Sequence, residues 1–305
     1  MKLVTRVSDS SGNAGNAKHP PRINAQSRLR RFSISPTLMS SSTQSRNNAK
    51  PYVREATLEE IRTLDELFLL AFLDDPAFYY FWSIQSSLSH DSPTTQQGRE
   101  NIKHLCRFMV DTVQLLGGRI MVAVVPKPEG SISEDADVSD CEVIGASALW
   151  LPPHQRISWW TIVTLVRAGF IQLLLAMGLE GYKRMAVEYK EVTARSFESG
   201  LSVRNVRETP DESWYLQLIG THPAHQGKGL MSLLVREAFA HSPTSVFLLD
   251  STTPNSMVRY AHLGFEMMEE VRLGKGVVGS DGLPASGEEA TGVPLFCMVK
   301  AQKQE

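Results

Sequence analysis

The amino-acid sequence predicts an α+β fold, a mixed sheet with helices packed on it, in one domain from about residue 51. Three observations carry this. Short runs rich in β-branched and aromatic residues, bounded by Gly, Pro, Asp or Ser, read as strands. Between them lie segments whose apolar residues recur at helical spacing. Helices and an antiparallel meander come first, then strand–helix–strand–helix–strand, an order that gives a sheet of mixed direction.

"PYVREATLEEI" supplies a short first strand and then a helix capped near Thr57, with Glu60 three residues on as in a capping box. The helix is expected to continue through Leu64, Leu67, Phe68 and Phe72, one apolar face inward. "DDPAFYYFW" follows, then a second helix over about 97–116, ended by Gly117 and Gly118. "RIMVAVVP" and "VIGASALWLPP" are strands that flank an acidic stretch, "EGSISEDADVSDCE", read as a solvated hairpin connection. Residues 154–211 are long for a connection and hold "ISWWTIVTLVRAGFIQLLLAMG". Arg167 at its centre is costly in lipid, so a buried amphipathic helix beside a pocket is expected, not a membrane span. "SWYLQLIGTHP" and "TSVFLLDST" are the next strands, "NSMVRYAHLGF" is a helix stopped by Gly264, and "FEMMEEVRL" and "PLFCMVK" close the sheet across a glycine-rich loop.

Composition narrows the function. With 42% hydrophobic and 21% charged residues the chain resembles ordinary soluble globular proteins. The net charge of −2 conceals an asymmetry, since residues 1–50 hold nine of the 31 Lys and Arg but one of the 33 acids. What remains is 22 basic against 32 acidic residues, which disfavours a nucleic-acid partner. Residues 1–50, rich in Ser, Asn and Arg and poor in aromatics, are expected to be disordered. Their acid-poor composition also fits a mitochondrial transit peptide, although Pro20 and Pro21 interrupt any amphipathic repeat. Cys106, Cys141 and Cys297 lie far apart without C-x-x-C spacing. That fits reduced thiols in a cytoplasmic setting and supports neither a disulfide framework nor a zinc site.

The most informative stretch is "THPAHQGKGLMSLLVREAF", a strand end, a glycine turn and an amphipathic helix. A helix N-terminus has amides without intrahelical partners and a partial positive charge, so phosphate oxygens are stabilised there. Gly227 and Gly229 permit close backbone approach, Lys228 adds a cation, and Ser232 places a hydroxyl one turn into the helix. A Walker loop does not fit, because Gly229 follows Lys228 where Ser or Thr is needed, and a dinucleotide fingerprint lacks its third glycine at Ser232.

"HPAHQGKGL" after a strand, followed by "NSMVRYAHLGF", resembles the GNAT superfamily of acetyl-CoA-dependent N-acetyltransferases. Gln226 and Gly229 match the pyrophosphate loop [QR]-x-x-G-x-[GA], Met231 stands at its small-residue position, and Tyr260 with Leu263, Gly264 and Phe265 matches Y-x-x-L-G-F. Within the superfamily the C-terminal third is similar to the puromycin N-acetyltransferase-like small-molecule enzymes. The resemblance implies a mostly antiparallel, splayed sheet of six to seven strands flanked by helices. It implies pantetheine paired near Ile219 and Thr221, pyrophosphate on the amides of Gly227 to Leu230, and cofactor contact at Asn255, which is equally an ordinary helix N-cap. Tyr260 is then the acid that protonates the departing thiolate. Many members carry a Glu on the strand that here reads "WYLQLIG" and has no acid, so Gln217 through water, His222, Glu212 and Asp250 all stay open as the proton acceptor.

Aromatics cluster at 78–82, Trp150, Trp159, Trp160 and Trp214. They suggest a bulky or aromatic small-molecule amine as acceptor, with no metal, no nucleic acid and no stable membrane insertion. Two rival readings remain on sequence: a protein lysine or N-terminal acetyltransferase, and a degenerate module that only binds acyl-CoA.

Overall fold

In the computed structural model, seven strands form one sheet: β1 (Tyr52–Glu55), β2 (Arg119–Pro126), β3 (Glu142–Leu151), β4 (Trp214–Thr221), β5 (Phe247–Ser251), β6 (Glu266–Leu273) and β7 (Val293–Lys300). Their order across the sheet is β1-β2-β3-β4-β5-β7-β6. Every pairing is antiparallel except β4 with β5. The structure describes residues 50–89, 93–126, 142–157 and 161–301; the N-terminal segment, the acidic connection and Trp159–Trp160 lie outside these.

Helices cover both faces: α1 (Leu58–Ile61), α2 (Leu64–Ala71), α3 (Pro76–Trp82), α4 (Pro93–Leu115), α5 (Ile162–Arg167), α6 (Phe170–Tyr182), α7 (Lys190–Val203), α8 (Leu230–His241) and α9 (Pro254–His262). The period-2 alternation of the strands divides the core in two. Leu149, Leu151, Tyr215, Leu218 and Leu248 join Phe68, Leu105 and Phe197 on one face. Ala148, Trp150, Trp214, Leu216 and Phe247 join Leu234, Val235 and Tyr260 on the other. Cys106 and Cys297 are buried and not bridged.

The capping box is present. Thr57 Oγ1 accepts from the Glu60 amide at 3.3 Å, and the Glu60 carboxylate accepts from the Thr57 amide at 2.8 Å. Arg54 adds a fork of two 2.7 Å hydrogen bonds to the same carboxylate. Chiefly through Arg54, and further through the Thr57 amide, the Glu60 carboxyl is pulled down to about 2 against the burial that opposes it. A depressed folded-state pKa stabilises above the unfolded value of 4.5 and loses that contribution as pH falls toward 2. Glu60→Gln is expected to cost about 1 kcal/mol in urea melts at pH 6. The difference from the wild type should shrink as the melts are repeated at successively lower pH.

Two helical expectations need correction. The first helix does not run through Phe72 unbroken; it stops at Ile61 and restarts at Leu64. Nor is 157–178 a single buried helix. Gly169, at φ +98°, separates α5 from α6, and Gly178, at φ +70°, kinks α6. A π-helical segment, Lys183–Tyr189, then joins α6 to α7. Leu165 and Leu173 are buried, but Val163, Leu175 and Leu179 are exposed, Leu179 at 84%. Among the described residues no helix is long and apolar enough to cross a membrane.

Candidate active site

The parallel strands β4 and β5 are paired at only two positions, Trp214 with Phe247 and Tyr215 with Leu248. Beyond Tyr215 they part. On the other side of β4, Leu149 pairs with Leu218 but its neighbour Trp150 pairs with Leu216, leaving Gln217 as an extra residue. A bulge bends its strand, and this one sits where the pairing with β5 stops. Residues 216–221 therefore present one backbone edge to an opening rather than to another strand.

A cavity of about 1250 Å³ occupies this opening. That is more than one drug-sized ligand needs and gives room for two substrates end to end. Its walls include Ile219, Thr221, Gln226, Gly227, Gly229, Leu230, Ser232, Asn255 and Tyr260, so the structure brings together nine of the ten residues singled out by sequence. Lys228 is the exception. Its side chain is exposed, and Nζ lies 3.0 Å from His225 Nδ1. His225 has its proton affinity lowered, first by desolvation and then by the charge of Lys228.

Gly229 is the N-cap of α8, with φ +75° and no side-chain cap. Gly227 has φ +77°. A Cβ built on either meets no heavy atom within 4 Å, so both glycines answer to the left-handed backbone and not to crowding within the chain. Among the described residues the amides of Gly227, Lys228 and Gly229 donate to no backbone carbonyl, and the first-turn amides of α8 have no intrahelical acceptor. The result is a set of unpaired donors at the positive end of a helix, facing the cavity. Met231 is partly buried, packed against the core and also on the cavity wall.

Asn255 is not the cap of α9. Thr253 is, its hydroxyl accepting from the Ser256 amide at 3.2 Å. Pro254 then takes the first helical position, where no N–H is needed, and Asn255 falls within the first turn. The Tyr260 ring is buried, 5.8 Å from Phe265 in an edge contact. Its hydroxyl is pushed well above the ordinary phenol range, by burial first and by the charge of Asp250 second.

Of the four proton acceptors left open by sequence, Gln217 and Asp250 line the cavity. His222 caps a short turn by accepting from the Ala224 amide at 3.2 Å, and Glu212 caps the turn begun at Thr209. Asp250 accepts from Tyr189 Oη at 3.0 Å and from Tyr215 Oη at 2.5 Å. Burial raises the Asp250 pKa while these hydroxyls and the nearby Arg156 hold it down. Sequence reasoning singled out neither tyrosine nor Arg156. They lie 35 to 94 positions from Asp250 and share no motif with it.

Part of the cavity wall is aromatic. Phe78 and Phe81 line it with Phe72, Phe108, Phe170 and Tyr182. Trp150 and Trp214 do not; they pack on Phe247 in the opposite core, at 5.6 and 6.4 Å.

No family model matches the chain. An uncharacterised N-acetyltransferase of Schizosaccharomyces pombe is 26% identical over 129 residues, 41% of this chain and 49% of that protein, about half its length. A Corynebacterium glutamicum structure described as histone acetyltransferase HPA2 and related acetyltransferase superposes with a TM-score of 0.50 at 18% identity, covering 84% of this chain and 99% of that one. A Drosophila melanogaster polyamine N-acetyltransferase superposes at 0.44 with 14% identity, covering 83% and 100%. The fold is of the GNAT N-acetyltransferase type.

Proposed function

We propose that this protein is an acetyl-CoA-dependent N-acetyltransferase acting on a small, apolar or aromatic amine. The observation that carries the reading is one cavity whose walls include an unpaired helix N-terminus, a free strand edge, a buried tyrosine and a cluster of aromatic side chains. The matched N-acetyltransferase of Schizosaccharomyces pombe and the shared fold support the reaction class.

The residues present fit acetyl-CoA. Open space over Gly227 and Gly229, with unpaired amides from Gly227 to Leu230, suits a diphosphate. The β4 edge near Ile219 and Thr221 suits the amides of a pantetheine arm, and Ser232 and Asn255 lie on the same wall. Bound acetyl-CoA supplies an activated acetyl carbonyl. Tyr260, its phenol kept protonated by burial, is the proton donor for the leaving sulfur. A backbone N–H on the β4 edge stabilises the negative charge that develops on the carbonyl oxygen.

The acceptor enters from the face that carries Phe78 and Phe81. Aromatic and aliphatic side chains outnumber the exposed carboxylates of Asp74, Glu198 and Asp211 on the cavity wall, which favours a small molecule over a protein substrate. The likeness of the C-terminal motifs to puromycin N-acetyltransferase-like enzymes makes puromycin one member of the test panel. Purified protein is incubated with acetyl-CoA and an amine panel, and thiol release is followed. The reading requires amine-dependent release; a rate equal to that with acetyl-CoA alone would refute it.

A further inference from the structure

Acetyl transfer to an alkylamine needs a proton acceptor, because the nitrogen lone pair is occupied in the ammonium form. Strand β4 offers no carboxylate between Trp214 and Thr221. Of the other acids on the cavity wall, Glu198 is exposed on α7 and Asp211 pairs with His154 Nδ1 at 2.9 Å. Asp75 caps α3 through the amides of Ala77 and Phe78 and accepts from Thr252 at 2.6 Å, while Asp74 holds Tyr79 and Ser89 at 2.8 Å each.

We propose that Asp250 is the general base of this reaction, placed across the splay from β4, and that its substrate is an alkylammonium ion whose apolar body packs against Phe78, Phe81 and Phe170. The inference rests on the acetyltransferase reading and adds to it the base and the charge state of the acceptor. Strand alternation is the first support. Leu248 belongs to the core beside the aromatic wall, so Asp250, two residues on, faces that side, whereas Leu249 and Tyr260 belong to the opposite core. The opening joins the two sides. Base and acid thus approach the reacting carbonyl from opposite faces of the sheet, as direct attack requires.

Charge is the second support. A desolvated carboxylate is costly without a counter-charge. Among the described residues Asp250 has no ion pair; the guanidinium of Arg156 lies instead over the Tyr215 ring, 4.0 Å from its centroid. Tyr189 and Tyr215 occupy part of the carboxylate's acceptor capacity and fix its orientation, and the residue keeps partial exposure on the cavity side. An arriving ammonium supplies a cation in direct contact with the carboxylate, and the proton to be taken.

In the transfer, Asp250 takes one proton from the ammonium. The nitrogen–carbon bond forms, the carbon–sulfur bond breaks with its electrons on sulfur, and Tyr260 gives sulfur a proton. The surplus proton on the new amide nitrogen returns to Tyr260 through water, and Asp250 releases its own to solvent, so one proton leaves per turnover.

The groups that face Asp250 are Tyr189 from the π-helical segment, Tyr215 from β4, Arg156 from the β3 exit, Asp75 at the start of α3, Tyr260 from α9 and Cys297 opposite it on β7; of these, Tyr215, Tyr189 and Arg156 hold its pKa down against burial. The two tyrosine hydroxyls favour the ionised carboxylate, so removing either raises its pKa.

The test measures kcat/KM against pH with phenethylamine, an ammonium ion at neutral pH, and with aniline, a neutral amine. Asp250→Asn is expected to lower kcat/KM for phenethylamine by roughly 10²–10⁴-fold, to lower it far less for aniline, and to leave CoA affinity unchanged. Tyr215→Phe and Tyr189→Phe are expected to move the acidic limb of the phenethylamine profile to higher pH, which loss of packing alone does not do. An Asp250→Asn protein that binds CoA and keeps kcat/KM within threefold overturns the assignment. Should that variant not fold, an unshifted limb in both Phe variants overturns it equally. A wild-type protein that binds CoA yet turns over no amine overturns the acetyltransferase reading itself, and the base with it.

Discussion

Tyr260→Phe is expected to lower kcat by about 10²–10³-fold while CoA binds as before. The ring is 5% exposed and packs on Phe265, and phenylalanine preserves that contact, so the fold should be kept. What is lost is one hydroxyl on the cavity wall. Burial, reinforced by the charge of Asp250, keeps that hydroxyl protonated throughout the physiological range. It is therefore a donor at every pH at which the protein works, and the change should scale the rate without moving the acidic limb. Stopped assays of amide product together with CoA calorimetry check both halves. A variant that retains wild-type kcat would show that sulfur leaves without help from Tyr260.

Gly229→Val is expected to weaken CoA binding by tenfold or more. Valine at φ +75° is strained by roughly 1–3 kcal/mol, and relief of that strain turns the Gly227–Leu230 amides away from the cavity. The added side chain itself projects into open space, where a diphosphate would sit. Gly276→Val is the matched control, since Gly276 has φ +86° and equally open surroundings but lies in the loop between β6 and β7, off the cavity wall. Both variants should lose stability to a similar degree; only Gly229→Val should lose affinity. Equal CoA affinity in the two would place the cofactor elsewhere.

The parts of this molecule that were legible in its sequence are those encoded by neighbours. The Thr57–Glu60 box, the strands β2 and β3, the stop at Gly264 and the glycine turn before α8 are each written within a few residues. Apolar content was a poorer guide to burial. The stretch around Leu175 and Leu179 reads as core, yet two glycines with positive φ break its helix and turn those side chains outward. The bulge at Gln217 had no local signal either, because it depends on the register with β3 and not on the residue itself. Asp250 was one of four candidates on sequence. What sets it apart is the convergence of Tyr189 and Tyr215, and that depends on how the π-helical segment lies against β4.

Amide spectra of labelled protein titrated with CoA address the central claim most directly. Saturable shifts centred on Gly227, Lys228, Gly229 and Leu230, and extending along residues 216–221, are the predicted result. A well-folded protein in which those resonances stay fixed at saturating CoA would contradict it.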